Sequence, residues 1–154
     1  MRMIRKQKGG FALIELMVVV GIIGLLAALA VPQMIKARES SANAAFIANL
    51  KIAKGAFVLY NNDHNTYPPD RMPGIAPPEI SPYLDSSFKW DAPTPIGGQW
   101  DWDEGVFGVV AGVSVRAPSA PASQIQKIDQ TIDDGNLGTG DFRARAGGYI
   151  SVLE

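Results

Sequence analysis

The sequence predicts an α+β fold in which one long N-terminal helix packs against a small antiparallel β-sheet. Three observations predict it. The run from Phe11 to Val31 is apolar apart from Glu15, a helical spacing of apolar side chains continues to about Asn61, and past Gly98 the chain changes to a period of two.

The apolar run comes first. At ~1.5 Å rise per residue it makes a helix of about 31 Å, enough to cross a hydrocarbon core of roughly 30 Å. Arg2, Arg5, Lys6 and Lys8 crowd the segment before Phe11, and basic flanks stay on the cytoplasmic side of a span. The bulk of the chain, from about Pro32 on, is therefore expected outside the cytoplasm. Two cleavage positions stand open. Ala28 to Pro32 makes a poor secretory site, whereas a cut after Gly9-Gly10 keeps the helix in the mature chain.

GFALIEL, Gly10 to Leu16, follows a short basic leader and opens an apolar stretch that ends in Ala-Val-Pro. This combination resembles the prepilin signature of type IV pilins and type II secretion pseudopilins, and it covers about the first third of the chain. The resemblance implies a pilin-like fold, cleavage between Gly10 and Phe11 by a membrane prepilin peptidase, and N-methylation of Phe11. It also implies assembly roles for Glu15 and Pro32, which match the glutamate and the helix-breaking proline of the family. The implied partners are the prepilin peptidase, further copies of the chain, minor pseudopilins, an inner-membrane assembly platform and membrane lipid. The implied location is a single pass through the inner membrane with the head in the periplasm, then a periplasmic or extracellular filament.

The physics of Glu15 agrees. A carboxylate inside a membrane span costs roughly 2.5–3.5 kcal/mol and is kept where it has a partner. An amine created at Phe11 of an axially offset neighbour neutralises it, so the charge penalises the lone subunit and favours the assembled one. The alternative is an incidental charge in an ordinary anchor. Gly21 and Gly24 admit close helix approach, or are simply tolerated in lipid. Pro32 removes one backbone donor, so a bend or local unwinding is expected near Ala28 to Gln33, with helix continuing beyond.

The second half of the helix is amphipathic. Ala42, Phe46, Leu50, Ala53, Phe57 and Tyr60 recur at three- and four-residue spacing, while Arg38, Asn43, Lys51 and Lys54 fall mostly elsewhere. The stripe is expected to form core with the C-terminal part of the same chain. Helix from Phe11 to Asn61 spans on the order of 75 Å.

Asn61 to Gly98 reads as an irregular connector, because NNDH, YPPD, MPG, APPE, SPY and APTP supply turn residues at short intervals. Tyr67, Tyr83, Leu84, Phe88 and Trp90 are expected to pin it to the head. His64, the only histidine, has no second ligand residue nearby and reads as a loop residue. Trp100 and Trp102 alternate with Asp101 and Asp103, giving a strand with one apolar face and one solvated face. Glu104-Gly105 then turns into a second strand, Val106 to Val115. The tryptophans read as core packing, with a carbohydrate platform as the alternative. Ser119 is a candidate cap for a short helix lined by Ile125, Ile128 and Ile132 and ending at Gly135, and GGYISVLE reads as the last strand. The chain thus divides into a basic leader (1–10), the apolar half (11–32) and amphipathic half (33–62) of the helix, a Pro-rich connector (63–98), and a sheet head (99–154) with a short helix near 119–134.

Composition narrows the function. Removing the four basic residues of the leader from the fourteen Lys and Arg leaves ten against fifteen Asp and Glu, so the mature chain is mildly acidic and no nucleic-acid partner is expected. Cysteine is absent, a departure from the disulfide-closed adhesive pilins that tilts the resemblance towards the major pseudopilin. No serine, cysteine or histidine has a catalytic context, so no enzyme is expected. One loop hints at ligand chemistry. Asp129, Asp133, Asp134, Asn136 and Asp141 offer oxygens of the kind calcium takes, and the resemblance implies a calcium site in the C-terminal loop. The spacing is not that of an EF-hand, and ordinary turn chemistry accounts for the same residues; both readings stay open. The function expected is a structural subunit of a type II secretion pseudopilus. The alternatives are a type IV pilus subunit for adhesion, motility or DNA uptake, and a membrane-anchored ligand-binding module.

Overall fold

The computed structural model describes residues 9–154; the basic leader with Arg2, Arg5, Lys6 and Lys8 lies outside them. Helix α1 runs from Gly9 to His64, and β1 (Gln99–Glu104), β2 (Ala111–Arg116), α2 (Ala122–Ile132), β3 (Phe142–Arg145) and β4 (Gly148–Val152) follow. The chain separates into two compact units, residues 1–39 and 40–154.

In the first unit α1 is helix through Pro32 without a break, so the local unwinding expected there is absent. One proline deletes a single donor from the i to i−4 ladder, and the apolar run on both sides sustains the rest. Its large apolar side chains from Leu13 to Ile35 are all exposed, the least of them, Val19, by 48%. Residues 33–38 are exposed as well. The core-facing stripe therefore begins later than residue 33, because Met34 and Ile35 have no core to meet.

In the second unit α1 buries Phe46, Leu50, Ala53, Ala56 and Phe57. The sheet order is β1-β2-β4-β3, antiparallel throughout. Period two puts Trp100 and Trp102 on one face with Val113 and Val115, and this face meets the helix. The Phe57 ring stacks on Trp102 with centroids 3.6 Å apart, and Phe46 on Trp100 at 5.3 Å. Such aromatic pairs add about 0.5–1.5 kcal/mol beyond burial. At 1% and 0% exposure, the tryptophans form core and no carbohydrate platform.

The connector folds onto the head, as its aromatics foretold. Ile80, Trp90 and Ile96 are buried, and Tyr67, Tyr83, Leu84 and Phe88 pack against the core. A 3₁₀ turn, Pro78–Ile80, is its only regular element among the described residues. Backbone bonds hold it: Trp102 Nε1 donates to Pro68 O at 2.9 Å, and Gly74 N donates to Trp100 O at 2.8 Å. The second bond covers the edge of β1, where unpaired backbone groups would otherwise template aggregation.

Three local expectations give way. Val106 to Val110 form a turn instead of strand, because Gly105, Phe107 and Gly108 all take positive φ, and Gly105 N donates to Val110 O. Ser119 does not cap α2. Pro121 holds the cap position without a side-chain bond, and Ser119 Oγ donates instead to Ile96 O at 3.4 Å. Finally, the face of β1 bearing Asp101 and Asp103 is not solvated: both residues are 3% exposed. Ser114, Ile150 and Arg145 share that face, and residues 70–73 and 106–107 line the cleft over it.

Candidate assembly segment and acidic loop

Gly10 and Phe11 lie in the first turn of α1, Glu15 is exposed one turn further on, and Pro32 sits inside the same helix. The helix is long and apolar enough to cross a membrane. Glu15 is thus the one carboxylate on a fully exposed apolar surface between Ala12 and Ile35. In water such a surface is unfavourable by ~25 cal/mol per Å². Its chemistry demands lipid or protein around it, and a positive partner for the carboxylate.

The acidic loop closes around the end of α2. Asp129 is completely buried on the helix, Asp133 is the C-terminal cap, and Asp134 follows. Their carboxylate oxygens approach within 4.8 Å of one another. Burial raises the Asp129 pKa, with Asp134 and Asp133 adding to it. Both of its oxygens are buried without a hydrogen-bond partner among the described residues. The neighbours are tied into the loop: Asp133 Oδ2 accepts from the backbone N–H groups of Asp141 and Phe142, the latter at 3.0 Å. Asp134 accepts from Asn136 N and Thr139 Oγ1, each at 2.7 Å, and these bonds lower its pKa.

Of the five expected ligand residues the structure brings three together. Asn136 spends its Oδ1 on the N–H of Gly138 at 3.1 Å. Asp141 stands outside the cluster and, with Asp133, lines the cleft that holds Lys54. Lys54 there donates to Ser151 Oγ at 3.0 Å and Val152 O at 2.8 Å, and burial lowers its pKa. An orphaned, fully buried carboxylate beside two others is what an oxygen-seeking cation such as calcium fits.

A second cluster escaped the sequence reading. Arg145 reaches from β3 across β4 and β2 to Asp101 on β1, a bond of 2.6 Å. Its neighbour on β4 is Gly148, where a Cβ would lie 2.0 Å from Val115 O. The WDWD alternation showed the two carboxylates on one face; that Arg145 lies on the same face needed the register of β3, four residues with no strand pattern of their own.

Comparison with known proteins adds the family context. Residues 5–31 match the prokaryotic N-terminal methylation motif. The type II secretion system core protein G of Pseudomonas aeruginosa is 41% identical over 64 residues, which are 42% of this chain and 45% of that protein. A fimbrial protein of Eikenella corrodens is 39% identical over 87 residues, 54% of this chain and 56% of its own length. The match thus spans only about half the length of these curated relatives. Among solved structures, the major type IV pilin of Clostridium difficile superposes with a TM-score of 0.55 at 19% identity, covering 75% of this chain and 96% of that one. The chain thus carries the N-terminal methylation motif at the head of α1 and has a type IV pilin-like fold behind it.

Proposed function

We propose that the chain is a filament subunit of a type II secretion pseudopilus, cut between Gly10 and Phe11 and N-methylated at Phe11. The observation that carries this is the exposed apolar surface of α1 with Glu15 as its only charge between Ala12 and Ile35. Lipid covers that surface in the single subunit, with the head in the periplasm, and neighbouring copies cover it in the filament. Repetition of one heterologous contact gives an open helical assembly. In it the Phe11 amine of one copy meets Glu15 of the next, which sets the axial step. The prepilin peptidase, minor pseudopilins and an assembly platform are the partners this requires. Pro32 would tune the helix where it leaves the membrane.

Intact-mass and N-terminal analysis of the protein from its native membrane tests the reading. A chain beginning at N-methylated Phe11 supports it. A chain beginning at Met1, which lacks the Phe11 amine, or one cut near Ala30, which has lost Glu15 with the apolar helix, overturns it. A surface pilus is the second reading, favoured by the fimbrial relative and the pilin fold. Deletion of the gene separates them by whether secretion or surface filaments are lost.

We also propose that Asp129, Asp133 and Asp134 hold calcium, whose charge would neutralise the buried carboxylate and brace the loop against α2. Calcium is expected to raise the thermal midpoint of the full chain in detergent and a chelator to lower it, with Asp129→Ala abolishing the difference. Equal midpoints in calcium and chelator would sink the assignment.

A further inference from the structure

On the outer face of the sheet the buried charges do not balance. Asp101 and Asp103 are each 3% exposed, and the Arg145 side chain is 2% exposed. One guanidinium serves both carboxylates: Nη2 donates to Asp101 Oδ2 at 2.6 Å, and Nε lies 3.4 Å from Asp103 Oδ2. Arg145 Nε also donates to Ser114 Oγ at 3.2 Å, and the Ser114 hydroxyl donates to Asp103 Oδ2. Asp101 Oδ1 is buried with no hydrogen-bond partner among the described residues. The Phe107 ring covers the guanidinium, 4.6 Å from its centroid.

The other charged groups facing this cluster do not supply the missing charge. Asp70 and Arg71 from the connector and Arg116 from β2 line the same cleft of about 530 Å³. Asp70 adds negative charge, Arg71 lies 3.9 Å from Glu79, and Arg116, exposed to water, opposes the rise at Asp103 less than Arg145 does and does not overcome burial. A buried carboxylate without a counter-charge is costly, and the usual remedy is a proton. Among the described residues, Asp101 and Asp103 are not part of a group of three carboxylates converging closely enough to hold a metal ion, as Asp129, Asp133 and Asp134 are.

We propose that Asp101 and Asp103 form a proton-holding pair: with Arg145 and Ser114 they take up one proton from solvent in mild acid. No other bond changes. The protonated cluster is neutral and locks the edge strands β1 and β3 to each other across the sheet; its deprotonation leaves one uncompensated charge on the buried face. Asp101 behaves accordingly, its pKa raised from 3.8 to about 6, first by burial and then by Asp103, against the opposing pull of Arg145. Burial raises Asp103 as well. The folded chain thus holds its proton at pH values where the unfolded chain has lost it. The resulting stability is complete below pH 3.8, is lost as pH rises through about 6, and changes no further above that. The inference stands apart from the filament reading.

Carbon-13 NMR of aspartate carboxyls in the full chain in detergent tests it, with Asp129→Asn as the background so that the acidic loop does not contribute. One carboxyl is expected to titrate near pH 6. In Asp103→Asn, where one carboxylate faces one guanidinium, its midpoint drops towards the ordinary range; in Arg145→Gln it moves up. Thermal midpoints give a second readout on the same background: they fall between pH 4 and 7 in the parent and stay level in Asp101→Asn. A parent with every aspartate titrating below pH 4.5 overturns the proposal even if no variant folds. So does a midpoint indifferent to Asp103→Asn, which would mean a single desolvated acid and no shared proton.

Discussion

Trp102 joins three parts of the head. It stacks on Phe57, tilts against Tyr67 at 5.7 Å between centroids, and donates its indole N–H to Pro68 O. Helix, sheet and connector thus meet on one fully buried ring. Trp102→Ala is expected to cost about 3–5 kcal/mol, the range for deleting a buried aromatic, read as a lower denaturation midpoint of the full chain in detergent. Phe57→Ala and the double variant complete a cycle whose coupling should be about 0.5–1.5 kcal/mol for the stack. A coupling near zero would mean the two rings contribute burial alone. At this scale the sequence was informative: an alternating Trp-x-Trp and a helical Phe stripe each announced a face needing cover. Which ring met which was not legible, because stacking depends on the helix position along the strand.

At the scale of elements, α2 and β3 are joined through one side chain. Asp133 ends the helix and its Oδ2 receives the N–H groups that open β3. Gly140 makes this possible: it takes φ +77°, in the left-handed region, and a Cβ on it would lie 2.0 Å from Asp133 Oδ2. Gly140→Ala should therefore both strain the backbone, by roughly 1–2 kcal/mol, and push Asp133 off its two donors. Faster hydrogen exchange at the amides of Asp141 and Phe142 than in the parent is the expected result; unchanged protection would show that the loop closes without Asp133. The long helix, β1 and β4 were readable from periodicity. β3 was not, because Phe-Arg-Ala-Arg is too short for a pattern and takes its place only by pairing with β4. The Asp101 and Asp103 face was misread for a related reason: polar alternation looks solvated until a covering turn and a cross-sheet arginine are known. The acidic loop was legible as a cluster, and its split, with three carboxylates together and Asp141 beside Lys54, was decided by the bond from the Asp141 N–H to Asp133.

For the whole molecule, the two units divide the physical work. Among the described residues, every residue of the buried core lies in the second unit, from Phe46 to Ile150. The first unit adds none, since its apolar side chains from Leu13 to Ile35 are exposed. Folding of the head should then depend on α1 only from about Ser40, where the helix gains a sheet to lie against. A chain beginning at Ser40 is expected to fold, to dissolve without detergent, and to melt within a few degrees of the full chain under matched conditions. The same chain should form no filaments, because it lacks the apolar surface and Glu15. Failure to fold would mean that the first unit stabilises the head through the shared helix, for a helix cut at Ser40 loses the turns that precede its first buried residue and must start at a costly new end. Loss of a few degrees that is restored by an added N-terminal cap would locate the cost at that end, leaving the core self-sufficient.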